Sequence, residues 1–226
     1  MEEDSVRRVR ERLENQASNH WHEFSVIVAS ANILLAIVLL GRVVMGKQST
    51  SVEYISFGVA AASILGAVLA YYSIQVGTLL LFGPLRLTQV LASFSIAGAQ
   101  LALFLWPTYV LSREAATSVA VVRDLRHWLL FYSAFSFAAV IANWHASVVR
   151  KREIRGSAFK NYEAAQKIDL LAAGVIGIVI IFCWALSYIW LLPSIVIGIL
   201  VSIMSSVLGM ATQAQTSARL RRDLGR

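Results

Sequence analysis

The stretch that decides the fold is residues 170–218, LLAAGVIGIVIIFCWALSYIWLLPSIVIGILVSIMSSVLGMATQAQTSA, a run without Asp, Glu, Lys or Arg. A helix needs roughly 20 apolar residues to cross about 30 Å of hydrocarbon, so this run is long enough for two crossings. Pro193 lies near its middle, where the missing backbone N–H favours a turn between two helices. The stretch therefore predicts two membrane-spanning helices, at about 169–190 and 193–211.

Four further stretches that are nearly free of charge predict one membrane-spanning helix each. The stretch at about 54–82 is long for a single helix, but Gly83 and Pro84 end the helix there. The sequence thus predicts an all-α polytopic integral membrane protein with six transmembrane helices in one domain, residues 23–211. The four additional spans are expected at about 24–45, 54–82, 87–111 and 127–149.

The composition supports a membrane protein and excludes two other classes. Of the 226 residues, 58% are hydrophobic and 15% are charged, whereas soluble domains carry about 25% charged residues. A disordered chain would need a far higher charge density. Cys183 is the single cysteine, so a disulfide-stapled fold is excluded and we expect this residue to pack inside a span.

The distribution of basic residues predicts the orientation. With six spans drawn, 15 of the 20 Lys and Arg residues fall on the side that holds both termini. Cytoplasmic segments are enriched in these residues, so we expect both termini in the cytoplasm and the chain in the plasma (inner) membrane. Trp and Tyr concentrate at the membrane–water interface. The expected outer belt consists of Trp106, Tyr109, Trp128, Tyr132, Tyr188 and Trp190.

The ends of the chain are predicted to face water. Residues 1–22 have the pattern of a mixed-charge amphipathic helix, with an i,i+4 ion pair between Arg7 and Glu11. This helix either extends the first span into solvent or packs on another subunit or a cytoplasmic protein partner. Residues 212–226 are predicted to form a basic cytoplasmic tail. The apolar stripe of the first helix consists of Val6, Val9, Leu13 and Ala17.

The basic segment 150–167 is predicted to contact anionic lipid headgroups of the cytoplasmic leaflet. Gly156 breaks the segment, and Ser157 favours the N-cap of a short helix that lies on the leaflet and runs into the fifth span. Each basic residue there contributes on the order of 1 kcal/mol. Membrane contact thus explains the net charge of +7, and no nucleic-acid partner is expected. The expected headgroup contacts are Arg150, Lys151, Arg152, Arg155 and Lys160.

Polar residues inside the spans bear on function. Proton- or sodium-coupled carriers usually need a carboxylate near the midplane, and no predicted span has Asp or Glu there. Uncharged polar residues within spans are expected to form interhelical hydrogen bonds, unless several of them face one cavity and form a polar pathway. These residues are Asn32, Gln75, Gln89, Gln100 and Asn143.

Small residues at a four-residue spacing predict close packing of helices, because such faces let two backbones approach. The pattern favours packing in general more than dimerisation in particular. The residues of these faces are Gly58, Ala62, Gly66 and Ala70 in the second span, and Gly198 and Ser202 in the sixth.

The predicted topology brings a cluster of polar residues to the inner boundary. Arg86 is the sole charge in its turn, and we expect it to pair with Glu23 or Asp169. Such a cluster is either a set of anchoring ion pairs or a gate or ligand site. A metal site is disfavoured because His20 and His22 are two residues apart on a helix and face different ways. The candidate cluster consists of Glu23, Arg86, Asn143, His145 and Asp169.

The sequence favours a non-enzymatic function without a cofactor. It contains no Gly-rich phosphate loop, His-Glu-x-x-His or Gly-x-Ser-x-Gly motif. The leading hypothesis is a membrane scaffold, signalling subunit or effector that acts through helix packing and assembly. A channel or uncoupled permease for a small solute or ion is the alternative if the in-span polar residues share one cavity. A membrane-embedded lipid-modifying enzyme is a second alternative if the inner histidines converge with Glu23 or Asp169.

Overall fold

The computed structural model of the chain describes residues 7, 8, 11, 20–46, 50–78, 87–113, 117–153 and 160–223, and every regular element among them is an α-helix. Six of these helices are long and apolar enough to cross a membrane, so the prediction of an all-α chain with six such helices is confirmed for the described residues. The helices are α1 (His20–Met45), α2 (Thr50–Thr78), α3 (Leu87–Leu111), α4 (Ser118–Leu125), α5 (Trp128–Glu153), α6 (Lys160–Leu186) and α7 (Leu191–Asp223).

The six long helices form a ring in the order α1, α2, α7, α6, α5, α3, with further contacts of α2 and α5 across its centre. Helices α1, α3 and α6 begin at one end of the bundle, which we name the Asp169 end. Helices α2, α5 and α7 begin at the other end, which we name the His127 end. Neighbours in the ring are antiparallel except for the pairs α1/α3 and α2/α7.

Helix α4 is a short amphipathic helix at the His127 end. Its N-cap is Thr117, whose hydroxyl accepts a hydrogen bond from the Ala120 N–H at 3.3 Å. One face of α4 is buried, and only Arg126 and His127 separate it from α5. The buried residues of that face are Val121, Val122 and Leu125.

The small-residue faces lie between helices of the same chain. A methyl group added to Gly58 would lie 2.9 Å from Ile199 of α7, and one added to Gly66 would touch the Tyr132 ring of α5 at 3.5 Å. Ala62, Ala70 and Ser202 are buried as well. These faces therefore let α2 approach α5 and α7 closely inside the bundle.

Two aromatic residues expected at the outer interface lie in the core instead. Trp128 is 0% exposed and Tyr132 is 2% exposed, and both are among the largest fully buried side chains. The expectation for these two was wrong because they lie on the face of α5 that contacts α2, α3 and α7. Tyr109, Tyr188 and Trp190 are exposed, Trp106 is half-buried, and Cys183 is buried as expected.

Helices α1 and α6 expose most of their apolar surface. Only 17% of the most apolar window of each is buried. A helix that is apolar on all sides is typical of a membrane span or of the core of a large protein. The large exposed side chains include Ile33, Leu34 and Ile37 of α1, and Leu171, Val175 and Phe182 of α6.

The segments predicted to lie outside the spans are described in part. Arg7 and Glu11 form the expected ion pair, with 3.7 Å between Nε and Oε1, whereas the apolar stripe of residues 1–22 lies outside the described residues. Residues 160–168 form the first turns of α6, so the basic segment leads into the fifth long helix without a separate element after residue 160. Helix α7 continues to Asp223 and includes most of the predicted tail.

The contact of α7 with α5 predicts a cost for any side chain at Gly198. A methyl group there would lie 2.5 Å from Leu129 Cδ2 and 3.4 Å from the Cys183 Cβ. We expect Gly198→Ala to lower the free energy of unfolding by about 1–3 kcal/mol, because overpacking forces neighbouring side chains to shift. Thermal unfolding in detergent measures this effect.

The matched control is Gly98→Ala in α3, where nothing lies within 4 Å of the added methyl group. This variant should keep or slightly raise stability, since alanine is favoured over glycine in helices by about 1 kcal/mol. Equal melting temperatures of the two variants would contradict the packing described here.

Candidate functional site

A buried hydrogen bond joins α5 to α2 where α5 begins. The indole N–H of Trp128 donates to Ser63 Oγ at 3.0 Å, and both side chains are fully buried. The Ser63 hydroxyl in turn lies 2.8 Å from the Val59 carbonyl of its own helix and 3.1 Å from the Leu103 carbonyl of α3. One serine therefore connects three helices.

The Leu103 carbonyl depends on Ser63 because Pro107 lies four residues further along α3. Proline has no N–H, so it cannot form the helix hydrogen bond that the carbonyl of residue i−4 normally accepts. Neighbouring serine or threonine hydroxyls are known to satisfy such carbonyls in membrane helices. The single Ser63 hydroxyl hydrogen is shared between the Val59 and Leu103 carbonyls, so Ser63 is the donor that the adjacent helix offers to Leu103.

A second hydrogen-bonded contact lies one turn further along α5. The Tyr132 hydroxyl lies 3.0 Å from the Ser202 carbonyl and 2.7 Å from Ser206 Oγ, both on α7. The phenol has one hydrogen, so it donates to the carbonyl and accepts from Ser206. Ser133 Oγ donates to the Gly177 carbonyl of α6 at 3.0 Å. We name Trp128, Tyr132 and Ser133 the α5 seam, which joins α5 to three other helices.

A third polar contact connects α1 with α3. Asn32 Nδ2 donates to Gln100 Oε1 at 3.1 Å, and both residues are buried. Asn143 is half-buried near the Asp169 end of α5. Helices α3 and α5 are antiparallel, and Trp106 packs on Phe131, so Gln100 lies at the level of residue 137 of α5. Asn143 lies further along α5, about 9 Å away along the bundle at 1.5 Å per residue.

The in-span polar residues that the structure describes thus form separate contacts. Asn32 and Gln100 meet each other, and Asn143 lies elsewhere. The side chains of Gln75 and Gln89 lie outside the described part of the chain. The buried atoms Asn32 Oδ1 and Ser56 Oγ have no hydrogen-bond partner.

Four members of the predicted inner cluster share one end of the bundle. Glu23, Asn143, His145 and Asp169 all lie at the Asp169 end, since α1 and α6 begin and α5 finishes there. The Asp169 carboxylate accepts a hydrogen bond from Gln213 Nε2 of α7 at 3.0 Å, a partner that sequence reasoning missed. Arg86, the expected partner of Glu23 or Asp169, lies outside the described residues.

Four of the five residues expected to contact headgroups lie at the same end, to judge from the backbone positions of residues 150–152 and 160. Residues 150–152 form the last turn of α5, and residue 160 opens α6. Cations in the last turn of a helix are favoured by its dipole. Arg155 lies outside the described residues. Among the side chains that the structure describes, no group of three His, Cys, Asp or Glu residues is arranged to hold a metal ion.

A cluster of aromatic rings lies at the His127 end. The His127 ring contacts Trp106 edge-on, with 6.0 Å between ring centroids, and contacts Trp184 at 6.5 Å. Trp184 also packs on Tyr188 at 5.4 Å. The Trp106 indole N–H donates to the Asp124 carbonyl at 3.0 Å. The cluster therefore connects α3, α4, α5 and α6.

The site residues that sequence reasoning missed share a readable spacing. Trp128, Tyr132, Phe135 and Ser136 recur at i, i+4, i+7 and i+8, which is the spacing of one helix face. A stripe of large aromatic and hydroxyl side chains at this spacing indicates a buried face. The position of Pro107 was a second signal, because it leaves one carbonyl in need of a donor.

The link between Ser63 and Pro107 predicts a coupling between two substitutions. Ser63→Ala removes the donor to the Leu103 carbonyl and the acceptor of the Trp128 N–H, so we expect a loss of about 1–3 kcal/mol. Pro107→Ala restores the helix hydrogen bond to Leu103. In the Pro107→Ala background, Ser63→Ala should therefore cost measurably less, and a double-mutant cycle by thermal or denaturant unfolding gives the difference.

Ser95→Ala in α3 is the control for this cycle, because its hydroxyl is exposed and bonds only the Leu91 carbonyl of its own helix. The Ser95 substitution should cost the same with and without Pro107. An equal cost of Ser63→Ala in both backgrounds would refute the role given to Ser63.

Comparison of the chain with family models, with curated proteins and with solved structures gave no significant match.

Proposed function

We propose that the chain is a six-span integral membrane protein of non-enzymatic type, which acts through helix packing and assembly as a membrane scaffold, signalling subunit or effector. One observation carries the proposal. In the described part of the bundle, buried polar side chains such as Trp128 and Tyr132 bond groups of neighbouring helices, while many large apolar side chains are exposed on the outside. This arrangement favours packing of the helices against each other and against other membrane helices.

The filled interior supports this function over permeation. Leu103, Phe104, Trp128 and Leu129 are fully buried, and Tyr132 is nearly so. A channel or permease needs polar atoms that face a shared path, whereas the hydroxyls of the α5 seam and its partners bind carbonyls of neighbouring helices. These contacts leave the centre of the described bundle occupied by side chains.

The exterior supports contact with lipid and with other membrane helices. Residues such as Ile33 of α1 and Val175 of α6 are about 60% exposed. Contiguous exposed apolar surface of this extent is rare on soluble monomers. In a bilayer the same faces are stable, and they are free to pack against another helix where shapes match.

The basic residues support an orientation with the Asp169 end in the cytoplasm. Residues 150–152, residue 160 and the end of α7 lie at this end. Cytoplasmic segments near span ends carry an excess of Lys and Arg. We therefore place both termini in the cytoplasm, the membrane being the plasma (inner) membrane. Residues 1–22 are proposed as the cytoplasmic segment through which another subunit or a cytoplasmic protein partner binds.

The closed interior predicts that the purified chain does not conduct solutes. Vesicles that contain the protein should show the same stopped-flow shrinkage in urea or erythritol, and the same ion flux, as vesicles without it.

The assembly role predicts a defined neighbour for α6. In native membranes, a photoreactive amino acid at Ile178, which is 53% exposed on α6, should give a discrete cross-linked product. The matched control is a photoreactive residue at Arg219, which is exposed near the end of α7.

Flux above that of empty vesicles would overturn the assembly proposal in favour of a channel or permease. A diffuse cross-linking pattern at Ile178 that equals the pattern at Arg219 would also contradict it, because neither position would then face a defined neighbour.

The proposed orientation predicts that two exposed positions, one serine and one alanine, are accessible from opposite sides of the membrane. In a Cys183→Ala background, Ser118→Cys lies at the His127 end and Ala218→Cys lies near the end of α7. A membrane-impermeant maleimide should label residue 118 in intact cells and residue 218 only after permeabilisation. The reverse pattern, or labelling of both positions in intact cells, would refute the orientation.

A further inference from the structure

Three arginines lie at the His127 end, and two of them engage one carboxylate. Arg113 Nη1 lies 2.6 Å from Asp124 Oδ2, and Arg123 Nε lies 3.8 Å from Asp124 Oδ1. Both carboxylate oxygens are therefore engaged by two of the three arginines. The third, Arg126, has no carboxylate within ion-pair distance among the described residues.

Arg126 is held against a ring and has an unused donor. Its guanidinium carbon lies 3.8 Å from the centre of the Tyr188 ring, which is a cation–π contact. Its Nε atom is buried and has no hydrogen-bond partner. Arginine carries five N–H donors in a planar fork that matches the oxygens of a carboxylate or phosphate.

A second unused donor belongs to the same cluster. Trp184 Nε1 is buried without a hydrogen-bond partner, and the Trp184 ring packs on both Tyr188 and His127. Buried donors without acceptors are rare in native proteins and call for an explanation such as a ligand or ion. Among the described residues, neither the Arg126 Nε nor the Trp184 N–H has an acceptor, and Arg126 has no carboxylate partner. This arrangement suits an anionic ligand.

We propose that Arg126, His127, Trp184 and Tyr188 bind the phosphate of a membrane phospholipid. The guanidinium supplies charge and paired donors to the phosphate oxygens, and the Trp184 N–H supplies a further donor. The exposed side chains next to the site offer apolar surface for acyl chains. They are Phe182, Ile189 and Trp190, each more than 60% exposed.

The position of the site favours a lipid over a soluble anion. Tyr and Trp side chains concentrate at the level of the headgroups, and this site lies where long apolar helices α5 and α6 meet the end of the bundle. The proposal rests on the membrane insertion that belongs to the proposed function. Free phosphate has the same chemistry, and the experiment below distinguishes the two sources.

The experiment is native mass spectrometry of the full chain released from detergent. Dioleoylphosphatidylglycerol and dioleoylglycerol are added separately, since they share acyl chains and differ in the phosphate headgroup. We expect retention of the phosphatidylglycerol to exceed that of dioleoylglycerol about tenfold, which corresponds to one decade in the dissociation constant. Arg126→Gln and Trp184→Phe should each reduce the retention of phosphatidylglycerol.

Arg123→Gln is the matched control, because it removes the same charge from a side chain that is 61% exposed three residues away. It should leave lipid retention within about twofold of the wild type, as exposed charges contribute little. Arg126→Lys keeps the charge and loses the planar fork, so it should retain less lipid than the wild type even if Arg126→Gln does not fold.

Three results would overturn the site. The first is equal retention of the two lipids, and the second is an Arg123→Gln variant as weak as Arg126→Gln, which would indicate diffuse attraction of charge. The third is displacement of phosphatidylglycerol by inorganic phosphate at equal concentration, which would assign the site to a free anion. Failed retention with an intact labelling pattern at residues 118 and 218 would overturn the lipid site alone, whereas a changed labelling pattern would overturn the orientation.

Discussion

The hydrogen bond of Trp128 to Ser63 is the contact on which the arrangement of the bundle depends. It lies where α2, α3 and α5 meet, and its acceptor, the Ser63 hydroxyl, in turn donates to the Leu103 carbonyl that Pro107 leaves without a helix donor. In a hydrocarbon setting, each unsatisfied backbone group costs several kcal/mol. The proline in α3 therefore requires a hydroxyl on a neighbouring helix, and this requirement fixes how α2 sits against α3.

The packing around this contact suits the proposed lipid setting, in which no hydrophobic effect drives helices together. Association there depends on close approach and on hydrogen bonds between helices. Helix α5 uses both, because the glycines Gly66 and Gly198 admit its large side chains and its hydroxyls bond α6 and α7. The result is a helix that contacts most of the bundle and shields its centre.

The number of long helices could be predicted from the sequence, whereas the buried face of each could not. Charge-free runs such as 170–218 carry a signal of length, and length alone decides whether a helix can cross a bilayer. When a helix is apolar on all sides, its hydropathy pattern does not indicate which side is buried. Trp128 and Tyr132 illustrate this: the sequence indicates that they lie near the end of a span, but it does not indicate the direction of their side chains. The Asn32–Gln100 contact required the order of helices in the ring, which no local pattern contains.

The charges at the two ends of the bundle obey different constraints. At the Asp169 end, basic residues are numerous and follow span ends, where an anionic leaflet would balance them. At the His127 end, few basic residues occur, and two of the three arginines near α4 share one aspartate. Arg126 is set apart because a cation beside apolar helices is retained only with a partner. Tyr188 supplies part of that partnership through its ring, but a ring accepts no conventional hydrogen bond from the buried Nε. The buried Nε still needs an oxygen acceptor, and the phosphate of the proposed phospholipid ligand would supply it.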